Sequence, residues 1–228
     1  MHKRPVTTLF MLSSVDGKIS TGSTDEMDVD QDFPLIPGVR EGLHQYYEIE
    51  QTTDLWSLNS GRVQAKMGVN ERPFPKKKTD VSFVIIDAHH LTEHGVRYFI
   101  HLSKCFVLVT TKPNHPGFQV KADNFHIIYH DAWDAKTMLE ELYEKYGCER
   151  LTIQSGGTLN SIFLRHKLLD FVDIVVAPVL IGGDKTPTVI DGESLQSPSE
   201  LNDLGVLKLE SAEVLEDSYL RLRYQLIK

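Results

Sequence analysis

The chain has 228 residues, 41% of them hydrophobic and 25% charged, values ordinary for a globular protein that buries a substantial core. Its net charge of −8 gives no basic footprint for a nucleic-acid backbone, and no run approaches the eighteen or so apolar residues of a membrane span. The two cysteines, Cys105 and Cys148, fit no metal or redox spacing, and the amino terminus is unlike a signal peptide, so a cytoplasmic protein of one domain, residues 1–228, is expected.

In chain order, Val6 to Ser14 (VTTLFMLSS) is β-branched and apolar and predicts a first, central strand, closed by the turn signal Asp16-Gly17. Thr21 to Pro37 is polar and acidic and predicts a long loop. Its acids lack the spacing of a calcium loop, and no metal site is expected. Gly38 to Thr53 has apolar residues at helical spacing, and Asp54 to Ser60 predicts a strand ending at Gly61-Arg62. Val81 to Asp87 (VSFVIID) is a plain buried strand. His89, His90 and His94 follow it without a third ligand at zinc spacing. A short helix over 96–102, a strand over 104–109 and another over 125–129 come next. Asp134 is placed to cap a helix over 135–146, with Gly147 as its stop.

The segment Arg150 to Asp184 carries the densest signal. The short apolar run 151–153 breaks at Ser155-Gly156-Gly157, and from Thr158 the apolar residues Leu159, Ile162 and Phe163 take up helical spacing. A second β-branched run, 172–181, is interrupted by Pro178 and closed by Gly182-Gly183. Strand, glycine pair, helix, strand is a βαβ pattern, with the glycines at the carboxyl end of the first strand. Backbone without Cβ atoms approaches a ligand closely, and the amino end of the helix offers free N–H groups to a phosphate. A tight turn with no ligand is the alternative. Val206 to Leu215 and Ser218 to Ile227 predict a closing antiparallel hairpin.

The stretch SGGTLNSIFLRHKLLDFVDIVVAPVLIGG, continuing to Thr188 and Asp191-Gly192, resembles the carboxyl-terminal signature of the riboflavin-biosynthesis reductases. Ser14-Val15-Asp16-Gly17-Lys18-Ile19 resembles a second motif of the same family, after its first strand. The resemblance implies an α/β, dihydrofolate-reductase-like fold: a mixed central sheet flanked by helices, with a C-terminal antiparallel hairpin. It also implies NADPH-dependent hydride transfer to a ribosylaminopyrimidine, a small-molecule substrate, and a homodimer. Carried over, Ser14, Asp16 and Lys18 face the substrate, with Asp16 and Lys18 as the catalytic pair, and Ser155 stands where the family usually has Glu. Gly61 and Arg62, the turn Thr110-Thr111-Lys112, and Gly156, Gly157, Thr158 and Leu159 fall on the cofactor side. A guanidinium, hydroxyls and an ammonium there suit a 2′-phosphate. A reductase of another pterin or pyrimidine-like substrate, or a nucleotide-binding module without turnover, remain as alternatives.

Overall fold

The computed structural model describes residues 3–227. In chain order the elements are β1 (Val6–Ser14), α1 (Val29–Asp32), α2 (His44–Glu50), β2 (Trp56–Ser60), α3 (Gly61–Lys66), β3 (Ser82–Ile86), α4 (Glu93–Leu102) and β4 (Phe106–Thr110). They continue with β5 (Phe125–Tyr129), α5 (Ala135–Tyr146), β6 (Arg150–Ile153), α6 (Gly157–Arg165), β7 (Phe171–Ala177), β8 (Val206–Val214) and β9 (Leu220–Ile227). The expected α/β class, with a mixed arrangement of strands, flanking helices and a C-terminal antiparallel hairpin, is the one found. The chain divides into two compact units, one holding Asp54–Ser155 and the residues up to Val6, the other holding Thr7–Thr53 and everything from Gly156.

The first unit is an all-parallel sheet in the order β5-β4-β3-β2-β6. Its central strands β3 and β4 are near-continuous apolar runs because parallel strands bury both faces. Ile85, Phe106 and Leu108 meet Val96 and Phe99 of α4 on one side, while Val84 and Val107, one residue out of step, face the other. Helix α4 starts where the Thr92 hydroxyl accepts from Gly95 N, and α5 where the Asp134 carboxylate accepts from Thr137 N. Gly147 ends α5 in the left-handed region at φ 66°. This start and stop of α5 are the expected ones.

In the second unit β1 pairs with β7 in parallel, β7 with β9 and β9 with β8 antiparallel. Asp173, buried in mid-β7, takes a two-pronged bond from Arg221 of β9 at 3.0 and 2.8 Å. Phe10 stacks on Tyr46 at 5.2 Å between centroids, in a core with Phe33, Val175 and Tyr219.

Three local expectations are corrected. The helix expected over 38–53 is helical only from His44 to Glu50. Gly38 has φ 88°, and a Cβ on Gly42 would sit 2.6 Å from the Tyr219 ring, so the chain turns there instead. The acidic stretch expected to be pure loop contains α1, whose amino end is capped by the Asp28 side chain accepting from Asp30 N. The strand expected over 172–181 stops at Ala177, before Pro178, whose missing N–H cannot continue the ladder.

Candidate active site

In the second unit, β1 runs out at Ser14 into a turn that needs glycine: Gly17 has φ 75° and its N–H donates to Ser14 O at 3.0 Å. The Ser14 hydroxyl donates to Asp16 Oδ1 at 2.5 Å and accepts from Lys18 N at 2.9 Å. The Asp16 carboxylate also accepts from Ile181 N at 3.1 Å and Gly182 N at 2.6 Å. The Ser14 hydroxyl first, then the Gly182 N–H, hold Asp16 down at about 2. A carboxyl this acidic carries no proton at neutral pH and acts as an acceptor. Lys18 Nζ donates to Gly183 O at 2.7 Å and Thr186 O at 2.9 Å. Three of the four residues expected on the substrate side, Ser14, Asp16 and Lys18, are thus brought together, and they tie the 14–19 turn to the loop around the second glycine pair.

Helix α6 opens next to that loop. Gly156 is its N-cap in extended conformation and offers no side chain to cap the first N–H groups, those of Gly157, Thr158 and Leu159. The two glycines differ. A Cβ on Gly156 would meet nothing within 4 Å, whereas one on Gly157 would lie 2.3 Å from Thr188 O and 2.4 Å from Asp191 Oδ2. Gly157 is therefore a packing glycine: Asp191 N donates to its carbonyl at 3.0 Å, and Asp191 accepts from Thr188 N and Oγ1 at 3.1 and 2.7 Å. The open space at Gly156, at the positive end of a nine-residue helix, fits a phosphate.

In the first unit, Gly61, Thr110 and Asp87 stand at the carboxyl ends of β2, β4 and β3, where open parallel sheets bind ligands. Arg62 is exposed at the start of α3, and Lys112 is exposed beyond Thr110. Thr110 is buried, its hydroxyl accepting from Lys112 N at 3.2 Å. Ser155 is buried after β6. Asp87 and His115 were not among the residues expected here. His115 Nε2 donates to Asp87 Oδ2 at 2.9 Å with both side chains fully buried. Burial pushes the Asp87 carboxyl up, but the His115 N–H and the backbone N–H groups of Leu91 and His90 overbalance it and hold it at about 2. An aspartate directly after an apolar strand, followed by a histidine beyond the next strand, was the available signal. His90 Nδ1 lies 3.0 Å from Asp87, and His94 Nε2 lies 2.8 Å from Arg72 O with its ring on Phe74.

A family model described as the RibD C-terminal domain matches residues 5–218. The 2,5-diamino-6-ribosylamino-4(3H)-pyrimidinone 5′-phosphate reductase of Archaeoglobus fulgidus is 43% identical over 202 residues, 84% of this chain and 88% of that protein. Among solved structures, Acinetobacter baumannii RibD superposes with a TM-score of 0.68 at 18% identity, covering 99% of this chain and 59% of that one. The Saccharomyces cerevisiae riboflavin biosynthesis reductase Rib7 gives 0.58 at 14% identity, covering 98% and 90%. At these identities the two structures establish likeness of fold. The chain spans under two thirds of the Acinetobacter protein.

Proposed function

We propose that this chain, which belongs to the RibD C-terminal domain family, reduces a ribosylaminopyrimidine 5′-phosphate of riboflavin biosynthesis with NADPH. The observation that carries the substrate is the identity with the Archaeoglobus reductase over most of both chains. The family is one of oxidoreductases and goes with a nicotinamide cofactor. NADPH, rather than NADH, is supported by Arg62, Thr111 and Lys112, a guanidinium, a hydroxyl and an ammonium near the strand ends. When bound, the cofactor supplies the hydride that goes to a C=N or carbonyl carbon of the substrate.

The side chains supply position and charge. The α6 N–H groups and the open face of Gly156 hold a cofactor phosphate, with Gly157, Thr158 and Leu159 forming that first turn. Lys18 has three N–H donors and two are taken by the carbonyls of Gly183 and Thr186. The third is left for a phosphate or hydroxyl oxygen of the substrate. Asp16, ionised and bonded to Ile181 and Gly182, keeps the loop in place and accepts from the substrate. Ser14 completes the substrate side. The proton that accompanies the hydride comes from water, since Asp16 holds none to give.

Residues 1–228 act as one reductase domain in this proposal, in the cytoplasm, where free thiols such as Cys105 and Cys148 persist. Among the described residues no helix is long and apolar enough to cross a membrane. The protein is a homodimer. On one face of the hairpin the cross-strand pairs Leu207–Leu226, Leu209–Tyr224, Ala212–Leu222 and Val214–Leu220 are all apolar, and Leu209 and Val214 are 52% and 85% exposed. Sedimentation at micromolar concentration checks this, and a monomer rules it out.

The decisive assay follows loss of NADPH absorbance with the 2,5-diaminopyrimidinone ribosyl phosphate and, separately, with its uracil counterpart. Turnover of the first at a kcat/KM at least ten-fold above the second is expected. No turnover of either, with NADPH bound, would remove the assignment.

A further inference from the structure

We propose that the buried Asp87–His115 pair is the specificity-determining prop of the cofactor side, fixing the Thr110–Lys112 turn in the shape that recognises a 2′-phosphate. The inference rests on the NADPH reading above and deepens it. Strands β2, β3 and β4 lie side by side in register, with Ser60 opposite Ile86 and Ile86 opposite Val109. Three segments therefore leave the sheet at neighbouring points: Gly61 into α3, Asp87 into the 87–91 turn, and Thr110 into the 110–115 loop.

Asp87 binds all three. Its carboxylate accepts from His90 N at 3.0 Å, Leu91 N at 2.9 Å and His90 Nδ1 at 3.0 Å, which sets the 87–91 turn. Gly61 packs against it so closely that a Cβ there would lie 2.2 Å from Oδ1. The third connection is His115, fixed at both ring nitrogens. Nε2 donates to Asp87, and Nδ1 accepts from Gly117 N at 3.0 Å. A neutral imidazole has one donor and one acceptor, so these two bonds select a single tautomer, with the proton on Nε2. The loop closes onto that ring: His115 N donates to Lys112 O at 3.2 Å, and Lys112 N to the Thr110 hydroxyl at 3.2 Å. Thr111 and Lys112 thus project from a turn whose base is a fully buried ion–imidazole contact.

A buried carboxylate adds little net stability over an apolar residue of the same size, because desolvation offsets its bonds. Its worth here is geometric. An exposed lysine on a short turn contributes to anion recognition only if the turn holds it in one place, since ordering it at the moment of binding costs side-chain and loop entropy. Asp87 and His115 touch neither cofactor nor substrate in this account. They are positioning residues.

The test is binding of NADPH and NADH, followed by tryptophan fluorescence, to wild type, His115→Asn and His115→Gln. Asn keeps an acceptor near Gly117 N and loses the reach to Asp87, while Gln restores an N–H toward Asp87. Wild type is expected to prefer NADPH. His115→Asn should lose at least ten-fold in NADPH affinity and under three-fold in NADH affinity, and His115→Gln should recover most of the difference. A general loosening of the fold would weaken both cofactors alike, and that result overturns the proposal. So does an unchanged NADPH to NADH ratio in His115→Asn. Should the Asn variant not fold, amide exchange in wild type decides. NADPH should protect the 110–115 amides more than NADH does, and equal protection refutes the inference. A wild type without NADPH preference overturns the NADPH reading itself; a preference that survives His115→Asn overturns the prop alone.

Discussion

Replacing each glycine of the first pair by alanine separates packing from ligand binding. In Gly157→Ala the new methyl would start 2.3 Å from Thr188 O and 2.4 Å from Asp191 Oδ2. Relieving that overlap means moving the Thr188–Asp191 segment by about 1 Å, an overpacking cost of about 1–3 kcal/mol. The bond from Asn160 Nδ2 to Val189 O, 2.8 Å long, and the Asp191–Thr188 pair weaken with it, adding about 1 kcal/mol. For a chain of this size a total near 2–4 kcal/mol lowers Tm by about 5–15 °C. In Gly156→Ala the methyl meets no atom within 4 Å and φ is −70°, so the backbone conformation suits any residue. A weaker N-cap costs roughly 0.5 kcal/mol, offset by a similar gain from a stiffer unfolded chain, and Tm stays within about 3 °C. The same methyl stands at the amino end of α6, where the phosphate is proposed to sit, and NADPH Kd should rise ten-fold or more. Thermal unfolding by circular dichroism and a fluorescence titration read both quantities. A Gly157→Ala protein as stable as wild type would refute the packing argument, and an unchanged Kd in Gly156→Ala would remove the phosphate from α6.

Lys18→Met keeps the aliphatic stem and loses the bonds to Gly183 and Thr186. Loss of a charge-assisted bond to substrate should lower kcat/KM by roughly ten- to a hundred-fold while NADPH Kd moves less than three-fold, and a change confined to NADPH affinity would misplace the substrate side. Asp87, held at about 2 against an ordinary 3.8, contributes stability that is fully present above about pH 4 and is lost as pH falls through 2. Acid unfolding of Asp87→Asn should therefore be flatter than wild type between about pH 4 and 2, and parallel curves would show that the carboxylate is not held low.

What the sequence displayed, and what it hid, divides by the range of the interactions. Strand β5 and helix α5 were legible to the residue because their signals are local: an apolar run in one, and Asp134 and Gly147 as cap and stop in the other. Helix α3, six residues long, is too short for helical spacing to show and went unexpected. The upstream half of the helix expected over 38–53 was lost to Tyr219, whose ring fills the space beside Gly42 and which no local pattern connects to it. The site shows the same split. The glycine pair and the Ser14–Lys18 turn could be located from their own residues. That Lys18 spends two donors on carbonyls 165 and 168 residues away could not. Nor could the bond between Asp87 and His115, 28 residues apart, since one reads as the end of a strand and the other as an unremarked loop residue.

The pairing of β1 with β7 has a consequence for how the protein is made. Thr7 N donates to the Asp170 carboxylate at 2.9 Å across 163 residues of chain, and Thr8 stands opposite Phe171. At about 5–20 residues per second of synthesis, β1 leaves the ribosome roughly 8–30 s before its partner exists. The segment 54–155, continuous in sequence, can close its parallel sheet in that interval. The nascent β1, with Leu9, Phe10 and Leu12 destined for burial, meanwhile has Phe33 and Tyr46 of the following segment to pack on but not its partner strand β7. Moving residues 7–53 to the carboxyl end would place β1 after β7 in order of synthesis and abolish the wait.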